Sequence, residues 1–303
     1  MTFEKRLEAR AAEIEAGLAE VLAGAASAGA GLPPRLANAM HHAVMGGGKR
    51  IRPFLVIETA AALGAEVAAA QPAAIALELV HCYSLVHDDL PSMDNDELRR
   101  GKPTVWKAYD EWTAILAGDA LLTLAFEHLG EASCPGLDDR QRLALMTGLA
   151  LASGGRGMVG GQCIDLEADK LRQPKTPTKD HIRRLQAMKT GALFRFACEA
   201  GPVVARANAE ETAAMARFGA KLGEAFQLAD DLLDIDGDAE TVGKATSKDA
   251  AAGKATLVGL EGIAAARAHL AEIEREALGE IEKFDARADL LRETLRFACA
   301  RRK

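Results

Sequence analysis

Apolar residues recur along this chain at helical rather than strand spacing. Ile75, Leu79, Val86 and Leu90 form one stripe. Pro72 stands where a first helical position belongs, and Pro91 disfavours helix at Leu90. Ala, Leu, Glu and Arg are abundant, and alternating β-branched runs are lacking. The pattern predicts helices over roughly 2–23, 34–45, 51–64, 72–90, 105–130, 138–154, 157–169, 178–200, 208–235, 260–278 and 284–301. The breaks between them are short, and none has the composition of a flexible linker. The expectation is an all-α fold: one domain over 1–303, a single bundle of about ten or more helices around a central apolar cavity. This overrides the prior of about two domains that 303 residues suggest. No repeat of about 20–50 residues is visible.

Composition narrows the classes. Hydrophobic residues make up 49%, which excludes disorder. No uninterrupted apolar run reaches the roughly 18 residues of a membrane span, so no transmembrane segment is expected. The net charge of −7 argues against nucleic acid as a partner. An acidic chain binds an anion only where metals or clustered Lys and Arg reverse the sign locally. Five cysteines (Cys82, Cys134, Cys163, Cys198 and Cys299) include no Cys-x-x-Cys, and reduced, buried thiols are expected. Met1 to Glu20 mixes charged and apolar residues at helical spacing, unlike a signal peptide, so a cytoplasmic location is expected.

Two acidic clusters change the picture. Asp88, Asp89 and Asp94 fall at the end of an apolar helix, where the helix dipole already repels negative charge. Two carboxylates about 4 Å apart repel by roughly 4 kcal/mol at an effective dielectric of 20. Asp230, Asp231 and Asp234 repeat the chemistry, with Asp230 and Asp234 at i, i+4 on one helical face. Hard oxygen ligands needing a shared cation point to magnesium.

Candidate anion ligands surround these clusters, each with a bland alternative. In Gly46-Gly47-Gly48-Lys49-Arg50-Ile51-Arg52-Pro53, Lys49 and Arg52 are spaced to meet one ligand at a helix start; the alternative is a solvated turn. Arg99, Arg100 and Lys102 follow the first cluster and suit phosphate, or else plain surface salt bridges. His81 lies on one helical face with Asp88, and a core histidine is the alternative reading. Gly160-Gly161-Gln162-Cys163-Ile164-Asp165 allows either close helix packing or backbone approach to a ligand. Lys189, in an apolar run, needs a partner, and an anionic ligand is the better reading. Lys244, Lys248 and Lys254 with Thr256 make a basic loop after the second cluster. Metal ligands beside phosphate cations, twice in an apolar helical chain, describe a site for a diphosphate attached to a hydrocarbon.

In this combination the chain resembles the trans-polyprenyl diphosphate synthases, most closely their bacterial farnesyl-forming branch. The motifs are GGGKRIRP (46–53), HDDLPSMDND (87–96), RRGKPT (99–104), GGQCIDL (160–166), KTG (189–191), FQLADDLLD (226–234) and GKATSKDAAAGKAT (243–256), in the family's order. The resemblance implies three Mg2+ ions held by Asp88, Asp94 and Asp230, supported by Asp89, Asp231 and Asp234. It implies that Arg99, Lys189, Lys244 and Lys254 grip an allylic diphosphate. Lys49, Arg52, His81 and Arg100 then grip isopentenyl diphosphate, and Thr190 and Gln227 offer oxygens to the allylic cation. Arg301-Arg302-Lys303 would close over the site, and a homodimer is expected. Tyr83 and Ser84, about one helical turn below Asp88, would set chain length. A large Tyr83 favours a C15 product, with C20 the alternative. The rival readings are a terpene cyclase, a non-catalytic partner subunit and a helical metal-buffering scaffold. An Asp-rich second cluster, an undepleted set of cations and Lys189 count against these in turn.

Overall fold

The computed structural model describes residues 2–29, 31–131, 136–240 and 256–300. Almost every described element is helical, and the fold is all-α. By its contacts the chain divides into two compact units, one ending at Thr147 and one beginning at Gly148.

The first unit holds α1 (Phe3–Ser27), α2 (Pro34–Val44), α3 (Ile51–Ala62), α4 (Val67–Asp88), α5 (Val105–Ala108) and α6 (Glu111–Gly130), and most of α7 (Asp139–Ser153). Its centre is α4, which packs on α3 and α6. Phe54, Leu55, Ile57, Leu77, Leu79 and Leu121 are buried there, each burial stabilising by roughly 1.5–3 kcal/mol. By length and composition α4 is apolar enough to cross a membrane, yet 72% of that window is buried inside the protein. It is a core helix. Arg50 braces this core from its αL position (φ 50°). Its Nη1 donates to Glu78 (2.6 Å), and its Nη2 to Val44 O (2.6 Å) and Glu15 (3.3 Å). In the Gly-Gly-Gly-Lys-Arg run, Arg50 is therefore structural.

The second unit holds α8 (Met158–Leu171), α9 (Lys179–Gln186), a π-turn (Ala187–Gly191), α10 (Ala192–Ala205), α11 (Ala209–Glu240), α12 (Leu257–Glu261), α13 (Ile263–Glu280) and α14 (Asp289–Cys299), the last preceded by a 3-10 turn (Glu282–Ala288). Its core is the packing of α11 against α10 and α13 around Phe194, Phe218 and Leu222.

Several starts follow from capping. Asp138 and Gln141 exchange backbone and side-chain bonds (2.8 and 3.1 Å) at the head of α7. Asn208 and Glu211 do the same (2.9 and 3.1 Å) before α11.

Four expectations need correction. Pro72 is not a first position: α4 begins at Val67 and carries Pro72 inside it. Near the N-terminus a missing N–H costs only one ladder bond, which the burial of residues 72–80 offsets. The helix expected over 105–130 is broken at Tyr109, because the Asp110 side chain caps Thr113 N (2.8 Å) and restarts the ladder. The helix expected over 178–200 contains the π-turn. A two-strand hairpin, β1 (Leu98–Arg99) and β2 (Lys102–Pro103), was not expected at all. Its two turn residues, Arg100 (φ 52°) and Gly101 (φ 76°), both sit at positive φ, the arrangement that matches strand twist.

Candidate active site

In the first unit α4 ends at Asp88, with Asp89 as its cap. The four-residue spacer is a turn. Asp94 N donates to Asp88 O (2.8 Å), and Met93 N (2.8 Å) and Asn95 N (3.1 Å) both donate to Leu90 O. The helix's last carbonyls are thus satisfied while the backbone of the third aspartate folds back onto that of the first. The three carboxylates fare differently. Asp88 is half-buried and Asp94 exposed, but Asp89 is only 3% exposed. Arg99 returns on the hairpin and clamps Asp89: its Nε donates to both oxygens (2.8 and 3.0 Å) and its Nη2 to Oδ1 (2.5 Å). Burial nonetheless pushes the Asp89 carboxyl up from its ordinary range.

The same hairpin turns Arg100 onto the glycine run, where its Nη1 donates to Gly47 O. Gly48 permits this: at φ 137° a Cβ would lie 2.6 Å from the Arg100 guanidinium. Arg52 Nη1 lies 3.4 Å from His81 Nε2. Burial, and then the charges of Arg52, Arg100, Arg50 and Arg99, hold His81 well below the usual imidazole range. Arg52, His81 and Arg100 are thereby brought together as one cationic patch with a neutral imidazole, and Lys49 is exposed beside Arg50. His42, which the sequence did not single out, shares a small cleft with Asp89, Arg99 and Arg100, and its Nε2 contacts Pro103 O (2.8 Å).

Tyr83 is 5% exposed, and burial, then Asp88, push its phenol up to about 12. Its ring meets His87 edge-on (5.8 Å, 78°), while Ser84 Oγ turns back to His81 O (2.9 Å). His87 Nε2 contacts Ile115 O (3.0 Å), a structural tie to α6.

In the second unit Lys189 and Thr190 sit in the π-turn, whose wide hydrogen bonding is frequent at functional sites. Lys189 Nζ meets Asp165 Oδ2 of the Gly-Gly-Gln stretch at 2.5 Å. Close packing explains that stretch: a Cβ on Gly161 would fall 2.2 Å from Lys189 N. Next to it Gln162 is 8% exposed, with neither amide atom hydrogen-bonded among the described residues. Each such buried group costs about 1–3 kcal/mol, so Gln162 points to an occupant.

The second acidic cluster lies on α11. Asp231 is 6% exposed and accepts from two amides, Gln227 Nε2 (2.9 Å) and Gln186 Nε2 (2.9 Å). Gln227 Oε1 in turn accepts from Thr190 Oγ1 (3.0 Å). Asp230 is half-buried and Asp234 exposed on the same helix. Lys244, Lys254 and Arg301-Arg302-Lys303 lie outside the described residues.

The donors suit a hard dication: in both clusters they are carboxylate oxygens. Among the described residues no three His, Cys, Asp or Glu side chains gather into an ion site of their own. Magnesium is typically held by one or two carboxylates and completed by substrate phosphate oxygens.

Residues 33–294 match the polyprenyl synthetase family model. The chain is 44% identical over 239 residues to the farnesyl diphosphate synthase of Geobacillus stearothermophilus, covering 79% of each chain. It is 42% identical to that of Escherichia coli strain K12, covering 77% of each. A crystal structure of an FPP/GFPP synthase from Zymomonas mobilis superposes with a TM-score of 0.85 at 41% identity, over 98% of this chain and 99% of that one. The chain belongs to the polyprenyl synthetase family.

Proposed function

We propose that this protein is a farnesyl diphosphate synthase. It joins dimethylallyl and then geranyl diphosphate to isopentenyl diphosphate, head to tail. The observation that carries the reading is shared by both clusters. In each, the middle carboxylate is buried and held by protein donors, while its neighbours are half-buried or exposed. Such clusters present outward carboxylates without losing their anchor.

Asp88, Asp94 and Asp230 are the proposed ligands of three magnesium ions, with Asp89, Asp231 and Asp234 behind them. Bound magnesium offsets the charge of the departing diphosphate and so favours cleavage of the allylic C–O bond. Lys189 and Arg99 add positive charge to the same leaving group, joined in this reading by Lys244 and Lys254. The Thr190 and Gln227 oxygens face the allylic carbon as it becomes cationic. Lys49, Arg52, His81 and Arg100 hold the second diphosphate. The isopentenyl double bond attacks the allylic C1, a new C–C bond forms, and the released diphosphate takes the proton. No protein base is required. Tyr83 closes the tail pocket early, giving C15.

The protein is proposed to work in the cytoplasm as a homodimer. The dimer is supported by an apolar face of α6 on which Trp112 (56% exposed), Ile115 and Leu116 stand out to solvent. Sedimentation of Leu116→Glu beside the wild type tests it, the variant running as the lighter species.

Incubation with Mg2+, geranyl diphosphate and isopentenyl diphosphate, followed by chromatography, tests the activity. Farnesyl diphosphate is expected. Unreacted substrates would reject the reading, and a dominant C20 product would replace it by the longer-chain one.

A further inference from the structure

Gln186 is the last residue of α9, immediately before the π-turn that carries Lys189 and Thr190. Its Nε2 donates to Asp231 Oδ2, and Gln227 Nε2 donates to Asp231 Oδ1, each at 2.9 Å. A carboxylate only accepts, so each amide must turn its NH2 toward Asp231. The Gln227 carbonyl then has to face the other way, where Thr190 Oγ1 donates to it at 3.0 Å. Amide direction at Gln227 is thus set by a chain running from Gln186 through Asp231.

We propose that Gln186 is a positioning residue for the condensation: by occupying the second oxygen of Asp231 it locks the Gln227 amide with its oxygen, not its NH2, toward the reacting allylic carbon. The inference rests on the proposed function for its catalytic consequence, but its geometry stands alone. Asp231 is buried, with 6% exposure, and a buried carboxylate that loses a hydrogen-bond donor rotates to recover another. Once Asp231 turns away, the Gln227 NH2 loses the acceptor that fixes which end of its amide faces Thr190. An NH2 group there places positive charge against a forming cation and slows ionisation. Gln186 is half-buried and lines an open groove of about 500 Å3 with Arg183, Met188, Arg217 and Lys221, so a new side chain has room at this position.

The test compares wild type, Gln186→Leu (similar size, no donor) and Gln186→His (a ring N–H of similar reach). With geranyl and isopentenyl diphosphates and Mg2+, Gln186→Leu is expected to lower kcat about tenfold, as loss of one hydrogen bond does. Both KM values stay within about twofold, the melting temperature falls by only a few degrees, as loss of one neutral donor implies, and Gln186→His recovers most of kcat. Independently of turnover, the side-chain 15N–1H2 signals of Gln227 should be shifted and slow to exchange in the wild type. In Gln186→Leu they move toward those of a solvent-exposed amide. Wild-type kcat and an undisturbed Gln227 signal in Gln186→Leu overturn the proposal. So does a kcat loss that follows the melting temperature and both KM values, the mark of a structural role. A wild type that makes no product while Gln227 still responds to Gln186→Leu removes the proposed function and keeps the positioning.

Discussion

The two acidic clusters carry similar residues, but their middle carboxylates are held by different chemistry. In the first unit Asp89 is clamped by the guanidinium of Arg99; in the second, Asp231 is held by the neutral amides of Gln186 and Gln227. A cation cancels the carboxylate's charge as it orients it, whereas an amide orients it and leaves the charge in place. The spacers differ too. Four residues let Asp94 fold back over the end of α4, whereas two keep Asp230 and Asp234 one turn apart on continuous helix. The donors that hold Asp231 therefore add no positive charge of their own to the second cluster.

The largest effects come from the outer carboxylates. Asp230→Ala and Asp88→Ala should each lower kcat on the order of 10³-fold, as removal of a main electrostatic stabiliser does. Their melting temperatures should separate the clusters. Asp230→Ala removes a like-charge i, i+4 neighbour of Asp234 and should melt higher than Asp88→Ala. Asp88→Ala relieves less, because Asp89 and Arg99 already balance each other. Thermal melts without magnesium decide this, and equal shifts for the two variants would erase the contrast.

The anchors come next. Arg99→Met strands the Asp89 carboxylate, 3% exposed, without its cation. Loss of one partner of a fully buried pair costs about 3–5 kcal/mol; since the Arg99 side chain is 32% exposed, about 2 is expected. Gln227→Met removes a neutral donor to Asp231 and should cost about 1 kcal/mol. Urea unfolding of the two variants measures the difference.

This contrast shows what the sequence could not say. The helical pattern, the three-glycine turn and all six aspartates were legible because each is local: a spacing, a break or a run. The partners were not. Arg99 reaches Asp89 only because Arg100 and Gly101 adopt a tight hairpin turn, and nothing else in a helical chain suggests strands. Lys189 reads from the sequence as meeting an anionic ligand; in the structure Asp165, 24 positions earlier, meets it because Gly161 lets α8 approach the π-turn. Gln186 and Asp231 are 45 positions apart, and no periodicity links them. The π-turn depends on packing rather than propensity. Within the glycine run, Arg50 looked like its neighbours until Glu78 and Glu15 turned out to surround it.

Tyr83 sharpens the comparison by asking whether the first unit sets chain length as well as holding charge. Tyr83→Ala opens space one turn below Asp88 and removes the ring that packs on His87. The product should shift from C15 toward C20 and longer, read by chromatography of the dephosphorylated prenols. An unchanged C15 product would move the floor of the tail pocket to another residue.

The smallest effect concerns pH, and it belongs to the first unit. His81 lies among Arg52, Arg100, Arg50 and Arg99; burial and then these charges depress its folded pKa. A histidine with a depressed folded pKa takes up fewer protons than the unfolded chain. Its contribution to stability is therefore present above the unfolded value, about 6.5, and is lost as pH falls through the folded one. The diphosphate-free wild type should lose stability below about pH 6.5 relative to His81→Gln, which has no such proton to exclude. A bound diphosphate screens the arginines and adds negative charge beside the imidazole, raising its pKa and shrinking that difference. Paired melting curves from pH 5 to pH 8, with and without inorganic pyrophosphate, read both changes. Parallel curves for the two proteins in both conditions would mean that the imidazole does not sense this patch of cations.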